Sequence, residues 1–184
     1  MHEPIPILPM SMSQPGASAD IAALARTYGD LVYRAAYRVL GDCALSEDVQ
    51  QDVFLRLLES NTVTVASWPA WLTALAVRRA IDNLRKQQSW RRLLPLWALQ
   101  SATAPGGPEH GALADERARR LRSAVGRLPR LPAECFVLRF VQGMELAEIA
   151  SALGISVNYV SVNLNRATQR LETELCRPHS EQTS

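Results

Sequence analysis

The stretch Met144–Leu171, MELAEIASALGISVNYVSVNLNRATQRL, decides the reading of this chain. Leu146, Ile149, Ala150 and Leu153 recur at helical spacing and form one apolar face. Gly154 follows and can take the positive φ that a sharp turn needs. Ser156 is placed to cap a second helix, in which Val160, Leu164, Ala167 and Leu171 line the inner face. The outer face carries Asn158, Tyr159, Ser161, Asn163, Asn165, Arg166, Gln169 and Arg170. Two amphipathic helices joined by a glycine turn predict a helix-turn-helix, whose second helix enters the major groove of DNA. A solvated αα-hairpin is the plainer reading. The asparagines favour DNA, because Asn and Gln can bond adenine bidentately. The low charge opposes it, since only Arg166 and Arg170 are basic and phosphate contacts supply most of the affinity.

The chain has 184 residues and a formal net charge of +2, which allows one domain or two small ones and does not announce a nucleic-acid partner. The distribution of charge is more informative. Arg78–Arg92 holds six basic residues against Asp82 alone, while Asp42–Glu59 holds five acids against Arg56 alone. A layout of this kind points to different partners for neighbouring helices. Cys43, Cys135 and Cys176 are far apart, and they and the three histidines show no metal-ligand spacing. No nucleophile–base pair, metal set or phosphate loop is present, so neither an enzyme, nor a cofactor, nor a small-molecule substrate is expected. No run approaches the ~20 apolar residues of a membrane span, and the N-terminus lacks a secretory pattern. A cytoplasmic protein is expected.

An all-α fold of two small helical domains follows from the rest of the chain. Residues 1–18 are rich in Pro, Ser and Met and read as a disordered tail, with Met10 and Met12 as alternative candidate starts. Residues 19–92 form the first domain. Its helices are expected from Asp20 to about Leu40, from about Leu45 to Glu59 behind an Asp42 cap, and from Ser67 to about Gln88. In the second of these, Val49, Val53, Phe54, Leu57 and Leu58 are expected inward and the acids outward. In the third, Trp71 falls in register with Leu75 and reads as core, whereas Trp90 beside Arg91-Arg92 is the better exposed aromatic. Residues 93–109 read as a linker carrying an unusual apolar patch, Leu93–Leu99, that includes Leu96 and Trp97. Residues 110–176 form the second domain, with a helix from about Pro108 to Arg127, another over Ala133–Val141 opened by Pro132, and the helix-turn-helix. Residues 177–184 are a tail.

Taken together, these segments resemble the extracytoplasmic-function (ECF) class of bacterial RNA polymerase sigma factors. The resemblance rests on an ordered set. Leu31-Val-Tyr-Arg-Ala-Ala-Tyr-Arg-Val-Leu-Gly-Asp42 and Ser46-Glu-Asp-Val-Gln-Gln-Asp-Val-Phe-Leu-Arg-Leu57 look like the helix pair of sigma domain 2. Trp71-Leu to Ala80-Ile-Asp82 looks like its promoter-reading helix. Arg127-Leu-Pro, Val137-Leu-Arg-Phe, Glu148-Ile-Ala, Leu153-Gly-Ile and Asn165-Arg-Ala look like sigma domain 4.

The resemblance implies a subunit that joins core RNA polymerase and directs initiation at promoter DNA. It implies that Glu47, Asp48, Gln51 and Asp52 dock on the coiled coil of the β′ subunit. Arg78, Arg79, Asn83, Arg85 and Lys86 would bind the −10 element, with loop Ser60–Ser67 capturing an unstacked base. Asn158, Tyr159, Ser161, Asn163, Asn165, Arg166 and Arg170 would read the −35 element, while domain 4 also contacts the β flap. An anti-sigma protein is the further expected partner, and the patch around Trp97 is one surface it could cover. The chain departs from the family pattern at Ser161 and Asn163, where Lys or Arg is frequent, at Val77, often basic, and at Arg78, often Asn. Domain 4 is therefore expected to bind DNA weakly alone and to rely on avidity with polymerase. The alternative is a two-domain helix-turn-helix regulator that never joins polymerase.

Overall fold

The computed structural model describes residues 21–59, 65–93 and 109–176, with side chains at 21–58, 65–90 and 115–176. The N-terminal and C-terminal tails, most of the loop Ser60–Ser67 and all of the Leu93–Leu99 patch beyond the Leu93 backbone lie outside the described residues. Among the described residues every regular element is helical: α1 (Ile21–Leu40), α2 (Cys43–Glu59), α3 (Trp68–Leu93), α4 (Glu109–Arg127), α5 (Arg130–Phe136), a π turn (Val137–Val141), α6 (Leu146–Leu153) and α7 (Val157–Leu175).

The α1–α2 junction follows the expected chemistry, with the Leu45 N–H donating to Asp42 Oδ1 at 2.9 Å. This satisfies one of the donors that a helix start leaves open. Val32, Ala36 and Val39 of α1 and Val49, Val53 and Leu57 of α2 are buried together. Leu58 is a correction: expected inward, it is 63% exposed. At about 100° per residue it falls on the outer side of Leu57.

α3 is the central element. Leu72, Thr73, Ala74, Leu75, Ala76 and Val77 are buried in succession, so this segment is covered on every side. A helix that is apolar all round belongs in the middle of a fold. Val77, which replaces an often basic residue of the family pattern, is fully buried, and a charge there would be desolvated without a partner. Trp71, expected in the core, is half-buried against it and meets Trp68 edge-on with centroids 6.0 Å apart, whereas Trp90 is exposed.

The helix expected from Ala133 starts one turn earlier than the sequence suggests. α5 begins at Arg130 behind Pro129, so Pro132 lies inside the first turn, where a missing N–H breaks no helical bond. The helix then widens, with the Gln142 N–H bonded to the Val137 carbonyl at 3.0 Å, five residues back. The helix-turn-helix forms as read. Gly154 adopts φ 66°, ψ 38°, and Ser156 Oγ accepts from the Tyr159 N–H at 3.2 Å. Glu145 and Glu148 add a reciprocal capping box at the start of α6.

The two halves do not stand apart. Buried apolar residues of α1–α3 and of α4–α7 join in one cluster, and α3 packs directly on α4, α5 and α6. The approach is close at Gly126, where a Cβ would lie 2.2 Å from Gln88 Nε2.

Candidate nucleic-acid interface

Three surfaces carry the expected site residues. On α2, Glu47, Asp48 and Gln51 are exposed in one acidic stripe. Asp52 is engaged by its own half: Arg56 donates to both its oxygens at 3.2 Å, and Arg79 Nε lies 3.1 Å from Oδ2. Its charge is largely spent internally, leaving Glu47 and Asp48 as the free carboxylates of the stripe. Leu55 and Leu58, 58% and 63% exposed, extend the same side of the helix. The sequence reading missed them, although their spacing of four and seven from Gln51 was the available signal.

On α3, the five expected nucleic-acid contacts separate by environment. Lys86 is exposed and Asn83 half-buried. Arg78 donates from Nε and Nη2 to the two oxygens of Glu134, at 3.0 and 3.1 Å. Arg79 is packed between helices, its Nε in ionic range of Asp52 but misaligned for a hydrogen bond. Burial, followed by repulsion from Arg56, pushes its guanidinium below the ordinary value. Arg85 donates from Nη2 to the Leu128 carbonyl at 2.8 Å. The basic stripe is therefore real, but its three described arginines are turned to protein acceptors. The side chains of Arg91 and Arg92 lie outside the described residues.

On α7, Asn158, Tyr159, Asn165, Arg166 and Arg170 are exposed and Ser161 is half-buried. Asn158, Asn165 and Gln169 form the outermost row, flanked by Tyr159, Arg166 and Arg170, as the helical repeat requires. Asn163 is a correction. Expected on the outer face, it is 2% exposed, and its Nδ2 donates to the Tyr159 carbonyl at 2.7 Å. It sits between Val160 and Ala167 on the inner stripe, where its amide bonds back to the preceding turn.

The helix-turn-helix is held rigidly. Arg139, from the π turn, donates to the Met144 carbonyl at 2.8 Å and pairs with Glu145 at 3.0 Å. Arg127 of α4 pairs with Glu174 of α7. Within the π turn, Phe140 is 62% exposed and tilts against Phe136, with ring centroids 5.0 Å apart. Among the described residues no group of His, Cys, Asp and Glu could hold a metal. No helix among them is long and apolar enough to cross a membrane.

Residues 24–90 match the family description "Sigma-70 region 2" and residues 118–171 match "Sigma-70, region 4". The chain is similar to the ECF RNA polymerase sigma factor BldN of Streptomyces coelicolor, 28% identical over 162 residues that cover 86% of this chain and 61% of that protein. It is similar also to the ECF RNA polymerase sigma factor SigK of Mycolicibacterium vanbaalenii, 30% identical over 150 residues that cover 77% and 76%. Two solved structures share the fold. CnrH, in complex with the cytosolic domain of CnrY, superposes with a TM-score of 0.52 at 22% identity, covering 87% of this chain and 90% of that one. The sigma factor RpoE of Bartonella quintana, in complex with the anti-sigma factor NepR, superposes with a TM-score of 0.51 at 16% identity, covering 85% and 96%.

Proposed function

The chain belongs to the ECF family of RNA polymerase sigma factors, and from that premise we propose that it binds core RNA polymerase and directs promoter-specific initiation. The observation that carries this reading is the division of labour among three helices. α2 presents Glu47, Asp48 and Gln51, with Leu55 and Leu58 beside them, as a surface for a protein partner. α3 supplies a basic stripe for the −10 element. α7 presents Asn158, Asn165 and Gln169 as base-reading groups, with Arg166 and Arg170 positioned for phosphates.

Neither DNA surface is sufficient alone. α7 offers two arginines, so its affinity without polymerase is low; held by polymerase beside α3, both readers act at high effective concentration. Strand opening then needs capture of unstacked bases, which offsets an unstacking cost of a few kcal/mol. The chain performs recognition, while polymerase performs the chemistry. An anti-sigma protein as negative regulator and a cytoplasmic location belong to the same reading.

Run-off transcription with bacterial core polymerase on genomic fragments tests the proposal. The expected result is initiation at a discrete set of start sites only when this chain is added. No initiation from any fragment, with polymerase active alongside another sigma subunit, would overturn it.

A further inference from the structure

The C-terminal part of α3 carries two polar rows. Arg78, Asp82, Arg85 and Gln88 form the first and face the C-terminal half, where they meet Glu134, Arg130, the Leu128 carbonyl and the Ser123 carbonyl. The second row runs through Arg79, Asn83, Lys86 and Trp90, at i, i+4, i+7 and i+11, and lies about 100° round the helix from the first. Arg79 heads this row and is held by Asp52. The next three lie toward solvent. Asn83 is half-buried, Lys86 is exposed, and the indole of Trp90 is 66% exposed. Trp68 and Trp71, by contrast, pack on each other and on the core. Among the described residues of α3, Trp90 is the one large apolar side chain left in water. A lone exposed apolar residue needs no explanation. This one shares a face with an amide and an ammonium, which together offer the three kinds of contact that a single strand takes. From Asn83 to Trp90 the helix rises about 10 Å, roughly three nucleotides at the 3.4 Å spacing of stacked bases.

We propose that Trp90 is a stacking platform for one unstacked base of the promoter, with Lys86 on a neighbouring phosphate and Asn83 on a base edge. This inference rests on the reading of α3 as the −10 helix, and it adds a base contact separate from the loop Ser60–Ser67. Every base has a π face, so an indole accepts any of them and holds the strand without dictating its sequence. The Lys86 ammonium is a point charge suited to a phosphate, and the Asn83 amide supplies both a donor and an acceptor. The platform stands beyond the buried segment Leu72–Val77 and on the side of α3 away from the C-terminal half, so a base reaches it from solvent in the structure as it stands. Stacking there offsets part of the cost of taking the base out of the duplex.

The test uses holoenzyme formed with the full chain, on a genomic fragment from which the parent chain gives run-off initiation. 2-Aminopurine replaces single bases across the −10 element of each strand. One position is expected to stay dark in the parent open complex, quenched by stacking, and to brighten with Trp90→Ala. The same substitution should lower the equilibrium constant for opening by about tenfold, which is the loss of one base–aromatic stack. Trp90→Tyr should keep both readouts near the parent. Trp90→Leu should lose both, because leucine supplies apolar area without a π face. Lys86→Gln should reduce the salt slope by about 0.7, whereas Trp90→Ala should leave it unchanged. Both side chains are exposed, so the variants are expected to fold as the parent does. Equal opening by the parent and Trp90→Ala would overturn the proposal and leave the functional reading in place. So would full opening by Trp90→Leu, which would mark an apolar protein contact instead of a stacked base. Absence of initiation by the parent chain on any fragment would overturn the functional reading and this inference with it.

Discussion

Replacing Asn163 by Ala separates a structural role from the base-reading role proposed for α7. In the structure the side chain is buried, and its Nδ2–Tyr159 carbonyl bond, at 2.7 Å, is local to α7. Losing that bond should cost about 1 kcal/mol. The cavity left by the amide adds to the loss, while the better helix propensity of Ala returns about 0.5 kcal/mol. A net destabilisation of about 1 kcal/mol lowers the melting temperature by roughly 2–4 °C in a chain of this size. Base preference should not change, because no atom of Asn163 reaches the outer face. Asn165→Ala is the counterpart. It should leave the melting temperature within about 1 °C, since surface substitutions stay near ±0.5 kcal/mol, and reduce discrimination at one base pair by about 1–3 kcal/mol. Differential scanning fluorimetry gives the first quantity. Reconstituted transcription from a promoter pool randomised across the −35 element gives the second. If Asn163→Ala melted like the parent and relaxed preference at one position, the inward placement of this residue in the functional complex would be refuted.

Asp48→Arg should abolish co-purification with core polymerase while the melting temperature stays unchanged, since the side chain is exposed; retained co-purification would remove α2 from the interface. Gly154→Ala forces a side chain into the left-handed region at φ 66°, and chemical denaturation should record a loss of about 1–2 kcal/mol. Burial, with the neighbouring Glu134 charge, pushes the Cys135 thiol from 9.0 up to about 12. Iodoacetamide at pH 8 followed by mass spectrometry should therefore modify Cys43 and Cys176 and spare Cys135. In the unfolded chain that thiol ionises near its ordinary value, so its contribution to stability is present below pH 9 and is lost as pH rises from 9 toward 12, which denaturation curves across that range would show.

Most helices were legible because their signals are local. The Asp42 and Ser156 caps, the Gly154 turn and the apolar spacing of α6 and α7 each lie within a few residues of what they determine. The exceptions have physical causes. Pro132 reads as a helix opener, but the first turn tolerates proline at several positions, so α5 could begin earlier at Arg130. Asn163 reads outward by its polarity, although its spacing from Val160 and Ala167 places it on the inner stripe. Leu58 reads inward for the converse reason. The largest omission concerns the two halves. Arg78 and Glu134 are 56 residues apart in sequence, and no periodicity relates them. The composition of residues 93–109 suggested independent domains and gave no sign that α3 would pack on α4, α5 and α6.

The burial of Leu72–Val77 makes the two helices proposed to meet DNA unequal targets for redesign. Asn158, Asn165 and Gln169 stand on a solvent-facing row, so on the proposed reading they can be varied with little effect on folding. α3 has no such freedom in its middle, because each change there also alters the core shared by both halves. A laboratory seeking an orthogonal transcription factor from this scaffold would vary α7 freely and confine changes in α3 to its C-terminal portion, around Asn83 and Lys86.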